Sequence, residues 1–400
     1  MLSQGERDMR ACFLAYKFYE TAPSLMQFAT TLARRGDIVD VLALRRKGQA
    51  RNEILDGVNV HRIQIRTVNE QRRLIYLFRI LRFFFVSALV LMRRHLSQPY
   101  QLVHIQSVPD FLVFGAALAK LTRAAIILDM VDIVPEFYAS KFNAGPGSIG
   151  VRLLLLIEKW SVAFSNHVIV PNGLWYQRLL TRSVRPEKCS LVRYLPDPQI
   201  FFPRPKRETD KRFLIVYPGT LNWHQGLDIA IKAFAKVLNQ IPEAEFHIYG
   251  EGPAKPHLLR LTKLLNLDGK VRFEEMVPKT KLPELIAGYD LAVVPKRASS
   301  SFGNEAESTK ILEFMAVGVP VIVARTRIDA YYHSEKTVKF FESENETDLA
   351  NCVLLLRRNH DLRHQMVANA VEYFQENNWE AVKPRYLSLV DHLVAERSHS

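Results

Sequence analysis

Cysteine is scarce, with three in 400 residues. Cys12, Cys189 and Cys352 are scattered and odd in number, so they make neither a disulfide framework nor a metal-ligand spacing. That usage fits a reducing cytoplasm. No secretory leader is expected, because the start M-L-S-Q-G-E-R-D-M-R is too polar to carry an apolar core. The charge-free apolar core Phe83 to Met92 is ten residues long. A bilayer-spanning helix needs roughly 20. No internal repeat appears beyond an alternation of strand and helix patterns, and there is no low-complexity tract.

Bulk and charge are what the chain does have. At 400 residues and 48% apolar content it can fill two cores, which suggests two domains. The net charge of +13 is uneven: from Arg34 to Gln98 fourteen Arg and Lys face five Asp and Glu. Such a surface attracts nucleic acid or anionic lipid. No nucleic-acid motif accompanies it, so nucleic acid is not expected as a partner. The stretch R-R-L-I-Y-L-F-R-I-L-R-F-F-F-V-S-A-L-V-L-M-R-R-H, Arg72 to His95, is instead a basic, aromatic-rich helix. It can lie in a membrane interface, or serve as a long core helix with a solvated basic edge.

Apolar runs and turn residues order the rest. Strands are expected at Arg10–Tyr16, Ile38–Leu44, Gly57–Ile65, Gln101–Gln106, Ala124–Asp129 and His167–Pro171. Helices are expected at Pro23–Arg35, Phe111–Leu121, Leu153–Phe164 and from P-N-G-L through Leu180, with a glycine-rich loop over Lys141–Gly150. The proline-rich L-P-D-P-Q-I-F-F-P-R-P, Leu195 to Pro205, separates two apolar cores. Beyond it, strands are expected at Phe213–Pro218, Ala244–Tyr249, Val271–Glu275, Leu291–Val294 and Val319–Ala324. Helices alternate with them, and Leu362–Gln375 and Trp379–Ala395 close the chain. Strand alternating with helix implies parallel, doubly wound sheets that gather ligands at the carboxyl ends of their strands.

The stretch Arg297 to Val323, R-A-S-S-S-F-G-N-E-A-E-S-T-K-I-L-E-F-M-A-V-G-V-P-V-I-V, carries the chemistry. Glu305 is expected in a loop, and Ser308 or Thr309 caps a helix that ends at Gly318. Lys310 and Glu313, three apart, share one side of it. Acid, base and helix tip thus gather where phosphates and sugars bind.

The E-x7-E pair Glu305 and Glu313, followed by F-M-A-V-G-V-P-V-I-V, resembles the donor-binding motif of the retaining family 4 glycosyltransferases. The S-T-K-I-L-E-F-M-A variant is similar to a subgroup of bacterial exopolysaccharide and lipopolysaccharide assembly. The resemblance implies an α/β fold of two Rossmann-like domains facing across a cleft (GT-B), with the last helix returning to the first domain. Applied here, it gives an acceptor-side domain over 1–198 with the basic helix at 72–96, a nucleotide-sugar domain over 199–375, and a closing helix over 376–400. It implies a nucleotide sugar donor, UDP- or GDP-linked, and a glycan or lipid-linked acceptor, used in polysaccharide assembly. The expected location is the cytoplasmic face of an anionic membrane.

By the same resemblance, Gly219 and Thr220 in P-G-T-L-N-W-H-Q-G, with Gln225, and Gly250 and Gly252 in G-E-G-P, border the donor. The family places Arg and Lys where Thr220 and Gln225 stand, so Lys310, with Arg297 or Lys296, is expected to neutralise the diphosphate. Glu313 would hold the ribose, and Glu305 the donor sugar. Asp132 and Glu136, in L-D-M-V-D-I-V-P-E-F-Y, would face the acceptor. Val131 stands where many members carry His, and Asp132 can equally cap the helix whose first turn holds Pro135. With no D-x-D motif, no metal or other cofactor is expected. A nucleotide-sugar epimerase of like architecture and a non-catalytic membrane scaffold are the alternatives.

Overall fold

Near-continuous apolar runs make strands that are covered on both faces, and the chain has two sets of them. The computed structural model describes residues 9–66, 73–142, 144, 145, 147–205 and 212–399. The first eight residues and Arg72 of the basic helix therefore lie outside the described residues, as do Asn143 and Pro146 of the glycine-rich loop.

The first sheet contains β1 (Arg10–Phe18), β2 (Ile38–Arg45), β3 (Asn52–Leu55), β4 (Val58–Ile65), β5 (Leu102–Gln106), β6 (Ala125–Asp129), β7 (His167–Val170) and β8 (Cys189–Leu191). Its order is β3-β4-β2-β1-β5-β6-β7-β8, parallel except for β3. The second contains β9 (Phe213–Pro218), β10 (Ala244–Tyr249), β11 (Val271–Glu274), β12 (Leu291–Val294), β13 (Val321–Ala324) and β14 (Lys339–Phe341). Its order is β11-β10-β9-β12-β13-β14, and every pairing is parallel. Each sheet reverses direction once, beside β1 in the first and beside β9 in the second. Such switch points open crevices at the strands' carboxyl ends.

The chain divides into two compact units, Met1–Arg193 with Lys383–Ser400, and Tyr194–Val382. The division falls five residues before the expected 198/199 bound because Leu195 and Phe201 are buried in the second unit's core. The helix Trp379–His399 crosses from one unit to the other. In unit 1 its Tyr386 packs on Phe28, with ring centroids 4.4 Å apart, and reaches His104 Nδ1 at 3.1 Å. Asp391 of the same helix accepts from Arg35 at 2.6 Å.

Local chemistry moved several bounds. Strand β3 was not expected: the pair Asp56-Gly57, at φ 48° and 80°, turns β3 back antiparallel onto β4, as a two-residue hairpin requires. Residues Asp110–Ala116 form a tighter 3-10 helix before the α-helix Ala117–Leu121. The loop between helices is shorter than Lys141–Gly150, because one helix runs Val134–Phe142 and the next starts at Ile149, capped by Ser148. The basic helix runs Arg73–Ser97, one residue past the expected 72–96 bound. By length and composition Ile75–Ser97 could cross a bilayer. The fold uses it instead as the crossover from β4 to β5, with Ile80, Phe83 and Leu91 buried. Connections from β4 to β5, β5 to β6 and β6 to β7 all step the same way across the sheet. Right-handed crossovers therefore put their helices on one face.

Candidate functional site

At the switch point of the second sheet, three loops meet after β9, β10 and β12. Glycine lets them approach. Gly219 (φ 148°) leaves the end of β9 and its N–H donates to Tyr249 O at 2.8 Å. A Cβ on Gly219 would lie 2.3 Å from Lys310 Cε, and one on Gly250 would lie 1.8 Å from Gly219 O. A Cβ on Gly252 would lie 2.4 Å from Leu221 O. These three positions bring the β9 and β10 loops into backbone contact and admit the lysine stem.

Lys310 sits in the first turn of the helix Thr309–Val317, which buries every residue from Ile311 to Val317 and is thereby fixed against the sheet. Its Nζ lies 5.2 Å from the Tyr217 ring centroid. Burial lowers its pKa to about 8, against the raising influence of Glu313. Glu313 is buried and makes no hydrogen bond with a described residue. Burial raises its carboxyl pKa, against the pull of Lys279 and Lys310. Ser308 occupies the N-cap position, as expected, but accepts no amide, and its buried Oγ has no partner among the described residues. The helix tip thus keeps N–H groups that no side chain has capped. A desolvated ammonium, a glycine turn and such a tip together form an anion site, and the carboxylate one turn along can accept from hydroxyls.

The other expected residues are placed differently. Glu305 ends a short helix, Ser301–Glu305, rather than lying in a loop, because Ser300 caps that helix at Gly303 N. Its carboxylate is 3.5 Å from Arg327. Arg297 is committed to other partners. Its nitrogens go to Asp228 (2.5 Å), Glu344 (2.8 Å) and Trp223 O (3.1 Å), and it stacks on the Trp223 ring. Lys296 pairs with Asp329 at 2.8 Å. Both charges are balanced within the loops they hold, which leaves Lys310 as the cation at the turn. Gln225 is buried, its Oε1 accepting from Tyr217 Oη at 3.0 Å, so it positions the loop. Thr220 is exposed at the tip, and its carbonyl accepts from the same hydroxyl at 3.1 Å.

Unit 1 has a second cluster at its own switch point. Asp132 follows β6 and is half-buried; burial pushes its pKa up to about 6, against the lowering pull of Lys17 at the end of β1. Asp110, just after β5, is pushed up to about 8 by burial, then by Glu158 and Asp132. Glu136 does not join them. Arg182 grips both of its oxygens, at 2.5 and 3.2 Å, and also holds Glu158, so Glu136 belongs to an ion network between helices. Lys17, Asp110, Lys279 and His224 were missed from sequence. Burial, then Lys310 and Lys296, lower the His224 pKa to about 4, so it stands neutral beside the lysines. For Lys17 and Asp110 the available signal was position at a strand's carboxyl end. Among the described residues no three His, Cys, Asp or Glu side chains gather as metal ligands.

Two parallel sheets, each with ionisable groups at its switch point, define a protein built from two Rossmann-like domains. The chain belongs to the group 1 glycosyl transferases: residues 199–373 match the model "Glycosyl transferases group 1", and residues 21–194 match the "Glycosyl transferase 4-like domain". It is 26% identical over 151 residues to the putative colanic acid biosynthesis glycosyltransferase WcaL of Escherichia coli K12. That stretch spans 38% of this chain and 37% of the relative. In fold it is similar to sucrose-phosphate synthase from Thermosynechococcus elongatus, with TM-score 0.78, 17% identity and coverage of 97% of this chain and 100% of that one. Anabaena Alr3699/HepE, solved in complex with UDP and glucose, superposes with TM-score 0.71 at 16% identity, covering 96% of this chain and 100% of that one. The solved neighbours share the GT-B architecture.

Proposed function

We propose that the chain transfers a sugar from a nucleotide sugar, UDP- or GDP-linked, to a hydroxyl of a glycan or lipid-linked acceptor, with retention, in cell-surface polysaccharide assembly. The observation that carries this reading is Lys310, a desolvated ammonium held over the Gly219 turn with the unbonded Glu313 carboxylate one turn along its helix. A nucleoside diphosphate leaves with growing negative charge, and a preorganised cation in a dry site stabilises that charge most. Lys310 and the uncapped helix tip supply it from the chain's own groups, so the reading needs no metal or other cofactor. Glu313 accepts from the ribose hydroxyls and Glu305 from the donor sugar. Retention follows if the leaving phosphate itself takes the acceptor's proton, and this reading uses no protein nucleophile. Asp132 orients the acceptor hydroxyl by hydrogen bonding. The WcaL relative's name, with its colanic acid pathway, supports a polysaccharide role.

The enzyme works at the cytoplasmic face of a membrane, docked through the helix Arg73–Ser97. The test is a thermal-unfolding screen of nucleotide sugars. A ligand at 100 times its Kd stabilises by about 2.7 kcal/mol. No shift with any nucleoside diphosphate or nucleotide sugar would remove the donor site.

A further inference from the structure

Beside the helix Arg73–Ser97 lies a cavity of about 530 Å³, walled by that helix, by β4 and by the start of β3. Its polar lining is mostly cationic, with Arg45, Arg51, Arg82 and Arg94. Among the described residues no Asp or Glu side chain lines it. Arg62 also lines it, but Glu20 and Glu53 hold that guanidinium. Arg94 is shared with Asp40 at 3.4 Å. Arg45, Arg51 and Arg82 make no ion pair among the described residues, so their charges face the cavity. Asn52, His61 and Gln64 complete the polar lining, and Ile63, Ile65, Val86 and Val90 make the apolar part.

The cavity borders an unusual surface. Phe78, Leu81, Phe85, Leu89, Met92 and Leu96 are all exposed and recur at spacings of three and four, so they form one apolar stripe. Arg82 is a helical neighbour of both Phe78 and Phe85, and it also lines the cavity. A second exposed stripe, Ile149, Leu153, Leu156 and Trp160, runs along the helix Ile149–Phe164, flanked by exposed Arg152 and Lys159. Both helices pack on Asp110–Ala116, through Phe84 against Phe111 and Phe164 against Phe114. The two stripes are therefore carried on the same face of one sheet.

We infer that this cavity is a phospholipid-headgroup site: the arginines take the phosphate, and the acyl chains lie along the adjoining apolar stripe. Charge complementarity commits the occupant to an anionic lipid, because neither helix exposes an acidic side chain among the described residues. The site is distinct from the donor turn in unit 2. It rests on the membrane reading above and deepens it, by making one leaflet lipid a bound ligand rather than a diffuse charge.

The experiment is co-sedimentation of the full chain with phosphatidylcholine vesicles, with and without one-third phosphatidylglycerol. Four proteins are compared: wild type, R45Q/R51Q/R82Q, F78S/F85S, and the control K232Q/R260Q/K263Q, which removes as many exposed charges from unit 2. Wild type should pellet with the anionic vesicles. Each arginine near the surface is worth about fivefold, so the cavity triple variant should bind on the order of 100-fold more weakly. F78S/F85S should also lose binding, and the control should stay within a few-fold of wild type. If the triple variant fails to fold, R51Q and R82Q alone, at exposed positions, should each cost about fivefold. Equal losses in the control and the cavity variant would overturn the site while leaving membrane docking in place. Wild type that pellets with no vesicle overturns both. Inorganic phosphate that protects against unfolding as well as a short-chain phosphatidylglycerol does would make the ligand free phosphate, and the lipid assignment would fall.

Discussion

Replacing Lys310 with methionine separates stability from function. The side chain keeps its length and loses its charge. In the folded protein burial lowers the lysine pKa from 10.5 to about 8. That shift corresponds to about 3 kcal/mol spent on keeping the ammonium charged away from water at pH 7. The sign follows by linkage. Between about pH 8 and 10.5 the unfolded chain binds the extra proton, so wild-type stability should rise with pH across that window, and the penalty is complete below it. Lys310→Met removes the penalty, less whatever Glu313 loses when its neighbouring cation goes. A net gain on the order of 1–2 kcal/mol is expected in the ligand-free protein at pH 7. For a unit of this size it is an upward Tm shift of roughly 2–4 °C per kcal/mol. Turnover should fall by about 10²-fold or more, and UDP should no longer raise the Tm. Wild-type UDP affinity should weaken about tenfold per pH unit above 8, while the variant's stays flat. Melting curves with and without UDP between pH 6.5 and 9.5 read all of this. A variant that is less stable yet binds UDP as before would refute the electrostatic account.

Three further outcomes follow from the same geometry. Glu313→Gln should raise the donor KM with little change in kcat, and a KM that stays put removes the ribose assignment. Gly219→Ala sets a methyl 2.3 Å from Lys310 Cε and forces a positive-φ backbone on alanine. It should abolish the UDP-induced shift without dissolving the second sheet, as judged by circular dichroism. Asp132, with its pKa pushed up to about 6, should give wild-type kcat/KM an acid limb, activity falling as pH drops through about 6. Asp132→Asn should remove that limb. A limb that survives the substitution assigns it to another group, Asp110 being the nearest alternative.

The carrier of the donor site was legible because its signals are local. Gly318 stops a helix, Pro320 forbids its extension, and the spacing of Ile311, Leu312 and Met315 sets which side Lys310 and Glu313 share. Turn chemistry was equally readable in Asp56-Gly57, yet it was passed over, because a four-residue exposed edge strand has no apolar run to announce it. Ion pairing was not readable at all. Arg297, Lys296 and Glu136 carry the same charge in sequence as Lys310 and Glu313 do. Only the folded chain shows that Asp228, Glu344, Asp329 and Arg182, distant in sequence, claim them first.

By itself, then, the sequence determined periodicity and punctuation: two parallel α/β sheets, the helix that bears Lys310, and the basic, apolar character of Arg73–Ser97. Tertiary structure decided which charges remain unspent. A strand or helix is written by neighbours a few residues apart. The desolvation of Lys310 beside Gly219, and the gathering of arginines around the cavity at β4, come from groups that meet only when the chain has closed on itself.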